Sequence, residues 1–122
     1  GTKCLEVVNI TMRWDDAKED CSIHGGHLAE FLGTEDRQAI VKYTRDIYET
    51  DDGKFWIGAT DKIREGYWMW LSGNPVTEGW AQGEPSRNFA FLFGEDCLEL
   101  QLEDGYYRDQ FCFFERKYIC ET

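Results

Sequence analysis

The chain has 122 residues, room for one hydrophobic core and one domain spanning residues 1–122, but not for two. With 42% hydrophobic and 16% aromatic residues it is too apolar to be disordered, despite its charge. A formal net charge of -11 disfavours nucleic acid and anionic membranes, whose phosphates would be repelled; it tolerates divalent cations and basic partners, or only keeps an exported protein in solution.

No stretch is apolar for long enough to span a bilayer, so no membrane insertion is expected of this segment. The chain opens on Gly1 without a leader-like stretch, as expected of a mature form or an excised domain. Its five cysteines include no two separated by only two residues, so disulfides in an oxidising compartment explain them better than zinc. Asn9-Ile10-Thr11 is an N-glycosylation sequon, which matters only in the secretory pathway. Together these features predict a secreted or extracellular protein.

In chain order, Cys4 to Val8 reads as a short strand. Trp14, Ala17 and Cys21 then recur at i, i+3 and i+7, predicting a helix with Thr11 as its cap and Gly25-Gly26 as its stop. A second helix is predicted from Thr34, with Glu35 and Asp36 in its first turn and Ile40, Tyr43 and Ile47 as its apolar stripe. From Phe55 onward the pattern is that of strands: "FWIGAT", "YWMWLS", "CLELQL" with Leu98, Leu100 and Leu102 on one face, and "KYICE". Helices precede strands, so the class is α+β. Residues 72 to 96 hold little regular pattern, and a loop of that length in a small domain is usually functional or disordered. Trp80 and the run Phe89, Phe91, Phe93 argue against disorder. Trp56, Trp68, Trp70 and Trp80 are expected in the core, and His24 and His27 in structural or surface positions.

Several short motifs now stand in a definite order: "W-x-x-A-x-x-x-C" from Trp14 to Cys21, "GGHLA" at 25–29, "WIGATD" at 56–61, "EGYWMWLSG" at 65–73, "GEPS" at 83–86, "GEDC" at 94–97, "YRD" at 107–109 and "YICE" at 118–121. In this order and over almost the whole chain, they resemble a C-type lectin-like domain. The resemblance implies two helices and two small antiparallel sheets with a long loop, stapled by Cys21–Cys120 and Cys97–Cys112. Cys4 is left over: it has a partner outside this stretch, bonds another chain, or is free.

Members of this family that bind sugars hold calcium with Glu-Pro-Asn, a later acid before a cysteine, and Asn-Asp; the proline is typically cis. Carried onto this chain, Glu84, Pro85, Glu95 and Asp109 match, while Ser86 and Arg108 stand where asparagines are usual. A serine hydroxyl can still coordinate calcium, but guanidinium has donors only and cannot. Arg108 either swings out to solvent or folds inward onto Glu84 and Glu95 as a built-in substitute for the metal. Asp61, Glu65, Glu95 and Asp96 match the acids of the family's second calcium site, with Arg87 where another Asp is common. Without a metal, the same acids form only a solvated or Arg-paired cluster.

The implied function is calcium-dependent carbohydrate binding, as in glycan pattern recognition, through Glu84, Ser86, Glu95, Arg108 and Asp109. The alternative is a calcium-independent domain of the same fold that binds a protein. An enzyme is not expected, because nothing supplies a raised-pKa acid for glycoside hydrolysis. The partner is a glycan or glycoprotein, with a homo- or heterodimer through Cys4 or the Phe89–Phe93 segment as a further option. The three phenylalanines stack on sugar, contact a partner, or fill space under their own loop. Glu-Pro-Ser matches neither the mannose-type nor the galactose-type tripeptide, so the sugar class stays open.

Overall fold

The computed structural model describes residues 4–48, 53–86 and 96–122. The elements run β1 (Leu5–Met12), α1 (Trp14–Ile23), β2 (His27–Leu28), α2 (Thr34–Tyr48), β3 (Lys54–Thr60), β4 (Met69–Trp70), β5 (Asp96–Gln101), β6 (Tyr106–Phe111) and β7 (Arg116–Glu121). The strands join in one seven-stranded sheet of order β1-β7-β3-β5-β6, with β2 added to β7 and β4 to β3. The expectation of two separate sheets is corrected by β3. It pairs antiparallel with β5 and parallel with β7, and so links the terminal strands to the later ones.

Side-chain alternation sorts the core into two layers. In β3, Phe55, Ile57 and Ala59 join one cluster while Trp56 joins the other. In β7, Ile119 goes with the first cluster, Tyr118 and Cys120 with the second. The first lies under Ile40 and Val41 of α2, the second under Trp14, Ala17 and Cys21 of α1. A sheet buried on both faces explains why "FWIGAT" is a continuous apolar run rather than an alternating one. The buried indoles keep their N–H groups satisfied: Trp14 donates to Ile57 O at 2.9 Å and Trp56 to Met12 O at 3.0 Å. Trp56, Trp68 and Trp70 are buried and Trp80 is half-buried against the first cluster, while His24 and His27 are exposed.

Two helix expectations need correction. Thr11 lies in β1, and Arg13 precedes α1 without a side-chain cap; the first helical N–H, that of Trp14, is instead taken by Cys112 O at 3.0 Å. The buried face of α2 is Arg37, Ile40, Val41 and Thr44, whereas Tyr43 and Ile47 are 53% and 49% exposed. The polar members of that face carry their own partners. Thr44 Oγ1 donates to Ile40 O at 2.7 Å, and Arg37 binds Glu78 and, at 2.6 Å, Gly105 O.

Both disulfides implied by the resemblance are present, Cys21–Cys120 and Cys97–Cys112. The first fastens α1 to β7, and the second fastens the start of β5 to the residue after β6. Cys4 is free and exposed.

Candidate functional site

The site forms where the irregular segment 72–86 crosses β6. Tyr107 N donates to Gly79 O at 2.7 Å and Ala81 N donates to Tyr107 O at 2.9 Å, so the segment lies along β6 like a short extra strand. Trp80 locks it from the side, edge-on to Trp68 at 5.2 Å and to Tyr107 at 6.4 Å. Glu84 N then donates back to Ala81 O at 3.0 Å, and the Glu84-Pro85 bond is cis, as the resemblance implied. This turn delivers Glu84 and Ser86 to Asp109, two residues beyond Tyr107 on β6.

Glu84 Oε1 accepts from Ser86 N at 3.2 Å and from Asp109 N at 3.3 Å. Asp109 Oδ1 accepts from Ser86 N at 3.0 Å and from Ser86 Oγ at 2.7 Å. Asp109 is 6% exposed, and its other oxygen, Oδ2, is buried and accepts no hydrogen bond. Burial and contact with the Asp109 carboxylate push Glu84 up to about 7. Two facing carboxyls with a buried lone pair left over form an oxygen-only donor set short of positive charge, which is what a hard divalent cation takes.

Arg108 reaches Glu84 through its charge alone, and its hydrogen bonds go elsewhere. Its guanidinium grips Asp104 with two bonds, Nη1 to Oδ1 at 3.1 Å and Nη2 to Oδ2 at 2.6 Å. Of the two expected orientations, solvent or inward onto Glu84 and Glu95, Arg108 shows a third partner, the Asp104 carboxylate of the adjacent tight turn, while Glu95 lies outside the described residues. Asp104 is not among the residues that the sequence motifs single out.

Among the second set of acids, Asp61 and Asp96 are both buried. Asp61 Oδ2 accepts from Gly66 N at 3.1 Å and Oδ1 from Asp96 N at 3.4 Å. Burial raises the Asp61 carboxyl, and the charge of Asp109 adds to the rise. Glu65 is exposed on the same turn as Asp61. Arg87, Glu95 and Phe89, Phe91 and Phe93 lie outside the described residues. Among the described residues no three acidic, histidine or cysteine side chains converge as a metal cage. Nor is any helix there long and apolar enough to cross a membrane.

Residues 10–122 match the family profile described as the Lectin C-type domain. The hepatic lectin of Gallus gallus is 32% identical over 122 residues, covering 98% of this chain, which spans 54% of that relative's length. The carbohydrate-recognition domain of the mouse scavenger receptor C-type lectin superposes with a TM-score of 0.85 at 32% identity, covering 100% of this chain and 89% of that one. A calcium-independent type II antifreeze protein superposes with a TM-score of 0.80 at 27% identity, covering 100% of this chain and 87% of that one. With its match over most of the length, the paired disulfides and the cis proline beside Glu84, the chain belongs to the C-type lectin domain family, whose domains are non-enzymatic and bind carbohydrate.

Proposed function

We propose that the chain is a calcium-dependent carbohydrate-binding domain acting outside the cell, with its cation between Glu84 and Asp109. The observation that carries this reading is the buried, unsatisfied Asp109 Oδ2 facing a carboxyl pushed up to about 7. Like charges are held together at a cost that a divalent ion would offset. Glu84, Ser86 and Asp109 would hold it, joined by Glu95 from outside the described residues; Asp61, Glu65 and Asp96 would serve a second ion. A bound ion would offer coordination to neighbouring sugar hydroxyls. The carboxylates accept hydrogen bonds from those hydroxyls, and Ser86 Oγ can donate or accept. Arg108, anchored by Asp104, is a donor-only neighbour that favours an acceptor on the sugar or glycoprotein.

A second reading has its own support. Ser86 already gives two hydrogen bonds to Asp109 Oδ1, and one structural relative is calcium-independent. In that reading the domain binds a protein without metal, with the free, exposed Cys4 or the Phe89–Phe93 segment joining a second chain.

Thermal unfolding separates the two. Calcium at roughly ten times its dissociation constant should stabilise the fold by about 1.4 kcal/mol, a rise of a few degrees that a chelator reverses. A melting temperature indifferent to millimolar calcium would remove the metal. Immobilised glycans with and without chelator then identify the sugar class.

A further inference from the structure

We propose that Asn9 accepts an N-linked glycan and that this glycan caps the open edge of the sheet. The sequon Asn9-Ile10-Thr11 lies in β1, the first strand in the sheet order, with β7 as its one strand neighbour among the described residues. Its register with β7 runs from Val8 opposite Tyr118 to Met12 opposite Arg116. Four steps along β1 thus match two along β7, and residues 9 to 11 bulge out of the ladder. All three are exposed, Ile10 at 56%. An open hollow of about 470 Å³, bordered by Val7, Asn9, Ile10, Asp20 and His24, leaves room for the first sugar.

The modification uses a lipid-pyrophosphate-linked oligosaccharide as donor. A bond forms between Asn9 Nδ2 and C1 of the first sugar, the C1–O bond to the pyrophosphate breaks, Nδ2 gives up a proton to the transferase, and the lipid pyrophosphate leaves. Thr11 is the hydroxyl the sequon requires.

The edge needs cover. β1 reads "LEVVNITM", with no Lys or Pro; Glu6 and the bulge at residues 9 to 11 are its own protection against pairing with another chain, and Leu5 to Val8 on one side of the bulge stay in ladder register. A bulky polar glycan at the bulge would add to that protection. The sugar site is clear of it. Asp109 is on β6 at the other end of the sheet order, four strand spacings or about 19 Å away.

The test uses protein secreted from eukaryotic cells in a Cys4→Ser background, which removes intermolecular disulfides through that thiol. The expected intact mass exceeds that of the chain by one oligosaccharide, and peptide-N-glycosidase removes it, leaving Asp at position 9. Asn9→Gln and Thr11→Ala should lack the glycan, and Thr11→Ser should keep it. An unmodified residue 9 in the secreted wild type overturns the acceptor assignment. At equal concentration, Thr11→Ala and the enzymatically deglycosylated wild type should sediment as larger species than the glycosylated protein. The deglycosylated sample covers the case in which Thr11→Ala folds poorly. Equal sedimentation of glycosylated and deglycosylated protein overturns the edge-capping role.

Discussion

Two carboxylates near β6 are driven in opposite directions by what faces them. The Arg108 guanidinium holds Asp104 below the usual carboxylate range, whereas burial and Asp109 push Glu84 up to about 7. Glu84 and Asp109 were legible through the family motifs they match, "GEPS" and "YRD". The partner of Arg108 was not, because its direction depends on the turn before β6. The raised Glu84 has a thermodynamic consequence. Its folded value of about 7 stands above the 4.5 of an unperturbed chain, so between them the folded state keeps a proton that the unfolded state has released. That contribution is complete below about 4.5 and is lost as the pH rises through about 7. In chelator-treated protein this group should lower the melting temperature across the window, and Glu84→Gln should flatten the slope. Scanning calorimetry of both proteins measures the difference; parallel curves would mean that Glu84 does not titrate there.

At the scale of elements, the site depends on a segment with no regular structure of its own. Residues 72–86 offered no periodicity to read, yet they dock on β6 through Gly79, Trp80 and Ala81. Gly79 has a φ of +97°, and a Cβ there would lie 2.5 Å from the Tyr107 ring. Gly79→Ala therefore combines a left-handed backbone, costing about 1–3 kcal/mol, with a contact that forces Tyr107 or the segment to move. The expected outcome is a lower melting temperature together with weaker calcium and glycan binding, since Glu84 reaches Asp109 through this docking. Binding retained at the wild-type level in a folded Gly79→Ala protein would show that the Glu84 turn holds itself. The regular elements were more legible where pattern and burial agree. α1 shows Trp14, Ala17 and Cys21 buried as its spacing predicts. β2 escaped because two residues carry no period, and β6 because "YYRDQF" mixes buried Tyr107 and Asp109 with exposed Tyr106. The inner face of α2 was misread because a buried, bonded Arg37 looks polar in the sequence.

For the whole molecule, the two disulfides divide stability from site geometry. Cys21–Cys120 closes a sequence separation of 99 residues, and Cys97–Cys112 closes 15. If loop entropy in the unfolded chain dominates, the first contributes about 4.7 kcal/mol and the second about 3 kcal/mol. Their positions rank them the other way for binding. Cys97 directly follows Asp96, and Cys112 lies three residues past Asp109, so the short bridge clamps both candidate cation sites from behind. Cys21–Cys120 joins α1 to β7, and β3 and β5 separate β7 from β6 in the sheet. Replacing Cys21 and Cys120 by Ala should give the larger fall in denaturation midpoint, with calcium and glycan affinity close to wild type in whatever fraction remains folded. Replacing Cys97 and Cys112 should give the smaller fall in stability and the larger loss of affinity. Denaturant melts paired with binding titrations below the transition measure both quantities. The same ranking in both would mean that the site is held by the fold as a whole; opposite rankings would place its rigidity in the short bridge.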